Sequence, residues 1–136
     1  MIAIVDAGPL YAALDANDRN HSHSLDVLQD PGLDLVIPTL VVTEVCYFAG
    51  KNLGAETEAA FLRALETMSV EAPASEDWPL IAALVERYSD FPLGATDASV
   101  AVLAERLGTN LIVTLDRRHF AALRTSTGAP FTLLPD

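Results

Sequence analysis

Four carboxylates sit where a solvated surface acid is out of place. Asp6 lies directly behind the apolar run Ile2 to Val5, Glu44 lies among Leu40, Val41 and Phe48, Asp97 precedes an alanine-rich helix, and Asp116 follows Leu111 to Leu115. Crowding them would be unfavourable: two charges about 4 Å apart at an effective dielectric of roughly 20 repel by about 4 kcal/mol. A divalent cation relieves that repulsion, and hard ions such as Mg²⁺ or Mn²⁺ take carboxylate oxygens together with retained waters. Each acid also has a local explanation. Asp6 could cap the helix that follows, Asp97 could complement a helix dipole, Asp116 could be a turn residue, and Glu44 could pair with a buried arginine. Only the elements that carry them decide whether the four converge.

Those elements alternate. Ile2 to Val5 reads as a buried strand, and Gly8-Pro9 opens a helix through Leu14, with proline near the first helical position, where its missing N–H costs little. Arg19 to Leu28 reads as a second helix, Asp30-Pro31-Gly32 as a turn and Leu35 to Ile37 as a short strand. Pro38-Thr39 then stops the strand and caps a helix running to about Lys51. Further helices are expected over Glu56 to Met68, from Ser75 through Tyr88, over Thr96 to Leu107 and over Arg117 to Leu123. Strands are expected at Val70, at Leu111 to Thr114, and at an edge position over Phe131 to Leu133. Strands alternating with helices predict an α/β fold, a three-layer α/β/α sandwich with a central, mostly parallel sheet, in a single domain over residues 1–136.

In such sheets ligands bind beyond the carboxyl ends of the strands. Asp6 and Asp116 both fall there. Asp97, in the first turn of its helix, joins them if that helix returns antiparallel to the strands. Positions 40, 41, 44, 45 and 48 share one helical face, so Glu44 is expected to point along an apolar stripe toward the interior. Four acids far apart in sequence thus gather on one rim, the arrangement of a cation site.

The whole composition bounds what such a site serves. The chain has 136 residues, 51% of them hydrophobic, and a mean hydropathy of +0.30, too apolar for disorder but with apolar runs too short to span a membrane. Met1 leads straight into strand-like sequence without a signal segment, from which a cytoplasmic location is expected. The lone cysteine, Cys46, excludes an internal disulfide or cysteine-based zinc site and is expected to be a small buried hydrophobe. Eight basic against 19 acidic residues leave a formal charge of −11, the opposite of a general nucleic-acid binder's footprint. Cations must therefore be local to a site, or the acidic face must attract a basic partner.

The opening Ile-Val-Asp6-Ala-Gly-Pro-Leu, Glu44 within its helix, and the stretch Tyr88-Ser-Asp90-Phe-Pro-Leu-Gly-Ala-Thr-Asp97-Ala-Ser resemble, in order and spacing, the PIN domain. So do Ala104-Glu-Arg-Leu-Gly and Thr114-Leu-Asp116-Arg-Arg-His-Phe120. The nearer resemblance is to VapC-type ribonuclease toxins of bacterial toxin–antitoxin pairs, and it runs end to end. It implies an Mg²⁺- or Mn²⁺-dependent endoribonuclease in which Asp6 and Asp97 are the firmest metal ligands, Glu44 and Asp116 complete the pocket, and no serine or cysteine nucleophile is needed. It also implies an RNA substrate of the tRNA or rRNA class, a small VapB-type antitoxin as partner, and a homodimer. Many relatives carry Thr or Ser after the first Asp, where this chain has Ala7, so a hydroxyl there must be absent or come from Thr114 or Thr96. Arg117, Arg118 and His119 follow the last acid and are candidates to hold phosphates of a single-stranded loop. His21 and His23, two apart and on different helix faces, are expected at the surface, and Asp90 in a loop or behind the site.

Other phosphate chemistries fit less well. A haloacid-dehalogenase-type phosphotransferase needs an Asp two residues after the first, where Gly8 stands. A response-regulator receiver needs a lysine after a late strand, yet Lys51 is the only lysine. A topoisomerase-like site needs Asp-x-Asp, which Asp116-Arg117-Arg118 does not supply. The alternative from another class is a catalytically silent PIN-like module whose acids bind a basic protein.

Overall fold

The computed structural model describes residues 1–136. Strands β1 (Ile2–Val5), β2 (Asp34–Pro38), β3 (Ser69–Glu71), β4 (Leu111–Val113) and β5 (Thr132–Leu134) form one sheet in the order β3-β2-β1-β4-β5. Every pairing in it is parallel: Ile4 faces Val36 on one side and Ile112 on the other. The central strands β1 and β4 are continuous apolar runs because both of their faces are covered. Ala3, Ile4, Val5, Ile112 and Val113 have no exposed surface at all.

The helices are α1 (Ala7–Leu14), α2 (His21–Leu28), α3 (Thr39–Leu53), α4 (Ala55–Ala64), α5 (Asp77–Arg87), α6 (Ala95–Arg106) and α7 (Arg117–Ala122). Parallel crossovers are right-handed. The connections from β1 through β2 to β3 therefore lay α1 to α4 on one face, and those through β4 to β5, running the other way, lay α5 to α7 on the other. The chain reverses direction at β1 and β4, and the crevice beyond their carboxyl ends is the natural ligand position of such a sheet.

Several boundaries differ from the expected ones for local reasons. The second helix starts at His21 because Asp15 and Asp18 hold the preceding residues in turns, accepting the Asn17 and Asn20 N–H groups at 3.0 and 2.8 Å. The fourth ends at Ala64 and tightens into a 3-10 turn at Leu65–Thr67. The fifth starts at Asp77, whose buried carboxylate reaches back to the Ala74 N–H at 2.8 Å and takes an ion pair from Arg106 Nε at 2.9 Å. Pro38, not Thr39, occupies the cap position of α3, and no side chain caps that helix. Gly54, at φ 94°, supplies the left-handed turn between α3 and α4, a conformation glycine adopts without a Cβ penalty.

Two packing features hold the functional rim. In α6 every residue from Ala98 to Ala104 is buried, and the small side chains of Ala98, Ser99, Ala101 and Ala104 let it lie close against the sheet, fixing where its N-terminal Asp97 projects. The six-residue α7 is far too short to be stable alone. It is pinned by Phe120, fully buried, and by Leu123 just beyond it; removing such a phenylalanine side chain costs about 3–5 kcal/mol. Cys46 is half-buried against the core, less enclosed than expected. His23 is exposed, while half-buried His21 ties α2 to α1 through a 2.7 Å contact from Nδ1 to the Ala12 carbonyl.

Candidate active site

Asp6 is placed by the end of β1, where its own N–H donates to the Val113 carbonyl of the neighbouring strand at 2.9 Å. Its side chain is only 5% exposed. Thr114 Oγ1, at the end of β4, donates to Asp6 Oδ2 at 2.8 Å and itself accepts the Asp116 N–H at 2.9 Å. Asp6 Oδ1 is buried without any hydrogen-bond partner. Although Asp6 precedes α1, it makes no capping hydrogen bond to that helix, so the capping explanation for this residue fails. Gly8 in the first turn of α1 also borders the site, and a Cβ there would lie 3.3 Å from Leu115 Cβ.

Asp6, Glu44, Asp97 and Asp116 line one open cleft with Gly8 and Leu115. The convergence expected of Asp6, Asp97 and Asp116 from strand ends and a helix start is therefore realised, and Glu44 joins them from α3. Burial pushes the Asp6 carboxyl above its ordinary value, helped by nearby Asp116 and opposed chiefly by the Thr114 hydrogen bond. Asp97 is pushed up to about 7, first by burial and then by the charges of Asp6 and Asp116. Glu44 is raised by burial and by the same two neighbours. These carboxylates share too little positive charge, and the sheet forces them together. Suppressed ionisation in a cleft is a mark of functional sites.

Glu44 corrects one expectation. The buried stripe of α3 is Val41, Val45 and Ala49, whereas Leu40 and Glu44 are half-buried and Phe48 is 42% exposed. Glu44 thus lies at the margin of the covered face and does not point into the interior. Its carboxylate enters the cleft from the side.

Asp116 is engaged already. Its Oδ1 accepts the His119 N–H at 3.1 Å, capping α7, and its Oδ2 lies 2.5 Å from His119 Nδ1. The same ring nitrogen is 3.6 Å from Asp97 Oδ2, and the three side chains form a group tight enough to hold an ion. His119 packs edge-on against Phe91, with ring centroids 5.0 Å apart, and Arg118 lies over Phe91 at 5.2 Å. Sequence reasoning placed His119 near substrate but missed its approach to Asp97, which depends on the 88–94 turn bringing Phe91 behind it. Arg117 is exposed and donates to the Pro135 carbonyl at 2.9 Å. Thr114 is the hydroxyl that meets Asp6; Thr96 lies instead in a neighbouring cleft with Glu44. Asp90 is exposed in the turn that precedes α6.

The donor set fits a hard divalent cation: four carboxylates at one rim, one with an orphaned buried oxygen, all chemically suited to Mg²⁺ or Mn²⁺.

Comparisons with known proteins agree with this architecture. The PIN domain model matches residues 3–125. Ribonuclease VapC26 of Mycobacterium tuberculosis is 35% identical over 134 residues, which cover 97% of this chain and 99% of that protein. Among solved structures, the VapC20 toxin of the same organism, described as cleaving the sarcin-ricin loop, superposes with a TM-score of 0.74 at 16% identity, over 82% of this chain and 87% of that one. A toxin–antitoxin complex from Klebsiella pneumoniae gives a TM-score of 0.66 at 21% identity over 89% and 92% of the two chains. At these identities the structural likeness is one of fold. No helix is long and apolar enough to cross a membrane.

Proposed function

The chain belongs to the PIN-domain family, and from that premise we propose that it is a divalent-metal-dependent endoribonuclease acting as the toxin of a type II toxin–antitoxin pair. The observation that carries the metal reading is the Asp6 Oδ1 atom, buried and unpartnered among carboxylates whose ionisation is suppressed. The ribonuclease reading is supported by the near full-length similarity to a ribonuclease.

Asp6, Asp97 and Glu44 would hold Mg²⁺ or Mn²⁺, with Asp6 and Asp97 the principal ligands. Both Asp116 oxygens already serve His119, which favours a role for Asp116 through water or substrate. A bound ion of this type supplies a nucleophilic water at neutral pH and neutralises charge on phosphate oxygens. In the hydrolysis a water oxygen bonds to phosphorus, the bond from phosphorus to the 3′ oxygen breaks, and that oxygen leaves with a proton. The products are a 5′-phosphate and a 3′-hydroxyl. Arg118 and His119 stand at the rim where flanking phosphates would pass; Arg117 has its guanidinium turned toward Pro135.

Thr114 is a positioning residue. Its hydroxyl orients Asp6 and supports the Asp116 backbone at once, so Thr114→Val is expected to lower metal affinity and cleavage by about 10–100-fold, the usual effect of losing a group that orients a ligand. Calorimetric titration with Mn²⁺ beside the cleavage assay checks this, and unchanged affinity would remove Thr114 from that role.

The substrate is RNA of the tRNA or rRNA class, and the acidic face suits a small VapB-type antitoxin with a basic arm, the toxin forming a homodimer. Incubation of the purified protein with structured RNA is expected to give cleavage in Mg²⁺ or Mn²⁺, none in EDTA and none for Asp97→Asn. Cleavage surviving that substitution would show that the site lies elsewhere. Absence of cleavage with every RNA and metal would favour a silent module that binds a basic protein.

A further inference from the structure

We propose that the cleft between α5, α6 and the 124–131 hairpin binds a small amphipathic anion: a hydrocarbon body ending in one carboxylate or phosphate monoester. Arg124 holds the charged end, and Arg87 adds positive charge from α5. None of the four acids of the active site lines this cleft, so it stands or falls apart from the nuclease reading. It encloses about 510 Å³, within the range of about 300–1,000 Å³ usual for small-molecule sites. Buried Ala101, Val102 and Phe131 and half-buried Leu84 give it an apolar lining, which Leu80, 55% exposed, extends toward solvent.

Three arginines and two acids also line the cleft. Arg106 is spent: its Nε pairs with Asp77 at 2.9 Å and its Nη2 with Glu71 at 3.2 Å, and Nη2 also donates to the Ala72 carbonyl. Asp77 is satisfied by that pair and by the Ala74 N–H, and Glu105 accepts the Ser126 N–H. Arg106 makes every arginine–carboxylate ion pair in the chain, which leaves Arg87 and Arg124 at the cleft without a counter-ion. Arg87 lies over the Tyr88 ring at 5.7 Å. Arg124 Nη1 donates to the Ala121 and Leu123 carbonyls at 2.7 and 2.8 Å. That anchorage fixes the guanidinium and leaves its Nε and Nη2 edge unused, an edge that takes a carboxylate or phosphate through two parallel hydrogen bonds. A group already ordered loses little further freedom on binding.

The wall that carries Arg124 is itself built. Arg124 bridges Pro130, the Thr125 N–H donates to the Ala129 carbonyl at 2.8 Å, and the Gly128 N–H donates to the Thr125 carbonyl at 2.9 Å. The tie from Ser126 to Glu105 docks this hairpin on α6, so the cleft is formed before any ligand arrives. The net charge of −11 disfavours a polyanion here. It acts only weakly on a monoanion, because exposed charges more than about 8–10 Å away are screened at physiological salt. A second copy or a partner protein would anchor on exposed aromatic rings. Those rings, Tyr47, Phe48 and Trp78, lie outside the cleft.

The test titrates four probes into the ¹⁵N-labelled full chain in EDTA, each below its aggregation concentration: octanoate, octyl phosphate, octanol and octyltrimethylammonium. Amide chemical shifts then report both affinity and place. At least one of the two anions is expected to saturate while moving the amides of Leu84, Ala101 and Ser126, and the tighter of the two identifies the head group. Arg124→Gln should weaken the anions by about 10- to 150-fold, the usual worth of hydrogen bonds to a charged group, and leave octanol unchanged. Ala83→Phe, at an exposed position of α5 that lines the cleft, should abolish binding with Tm unchanged. The proposal is overturned if neither anion saturates at those amides, or if octanol or the ammonium probe binds as tightly as the anions. Anion binding that is unchanged in Arg124→Gln or in Ala83→Phe overturns it as well. A dimer that Ala83→Phe dissociates, in a protein that binds no probe, would assign the cleft to a second copy of the chain instead.

Discussion

Expressed without a partner, the protein is expected to arrest growth, and Asp6→Ala to lift that arrest. Asp6 is the innermost of the four acids, and its burial decides the size of the effect. One of its oxygens is held by Thr114 and the other has no partner in the protein. Replacing it removes an anionic ligand outright, whereas losing a group that merely orients a ligand already costs about 10–100-fold; a fall in cleavage on the order of 1,000-fold or more follows. The substitution should not unfold the chain, since it deletes a buried charge that is poorly paired, at the expense of one hydrogen bond worth about 1 kcal/mol. Growth after induction, read beside the level of soluble protein, checks the expectation. Arrest continuing with the Asp6→Ala protein would contradict the mechanism.

The second large effect is on stability in the absence of metal. Asp97 is raised from 3.8 to about 7, by burial first and then by Asp6 and Asp116, with Glu44 adding to the effect and His119 opposing it. Asp6 and Glu44 move the same way. The native state then binds more protons than the unfolded chain between pH 3.8 and about 7, so the slope of stability against pH is negative there. The stabilisation is complete below the unfolded value and is lost as pH rises through the folded one. In EDTA the Tm should therefore fall by about 3–8 °C from mildly acidic to mildly alkaline pH, corresponding to about 1–2 kcal/mol for a chain of this size. Mg²⁺ or Mn²⁺ should restore it at the alkaline end, because an ion that binds only the native state stabilises it by mass action. Asp97→Asn should flatten the profile. Thermal unfolding across that pH range, with and without metal, measures all three, and a flat wild-type profile in EDTA would show that the acids are not crowded as described.

Much of this was legible in the sequence because the signals are local. Ile2 to Val5 and Leu111 to Val113 are unbroken apolar runs that only doubly covered parallel strands need, and in a parallel sheet every strand end points to the same rim. Asp6 and Asp116 could therefore be placed together before any tertiary contact was known, and Asp97 followed from the start of its helix. Helix boundaries at His21 and Asp77 were less legible, since side chains of Asp15, Asp18 and Asp77 redirect the backbone hydrogen bonds there.

By itself, then, the sequence determined the alternating architecture and the strand-end and helix-start positions of Asp6, Asp97 and Asp116, because periodicity and strand-end position are properties of the chain over a few residues, while the family followed from the resemblance of its motifs. Only the tertiary structure decided what each acid faces. Spacing along α3 makes Leu40, Val41, Glu44, Val45 and Phe48 one broad stripe, but the surrounding elements cover only its Val41–Val45–Ala49 side. That partial cover leaves Glu44 at the edge of the cleft and the rings of Tyr47 and Phe48 in solvent. The free oxygen of Asp6, and the tie between Asp116 and His119, likewise arise where β4, α7 and the 88–94 turn meet across the sheet. Those meetings join residues far apart in sequence, and no local pattern encodes them.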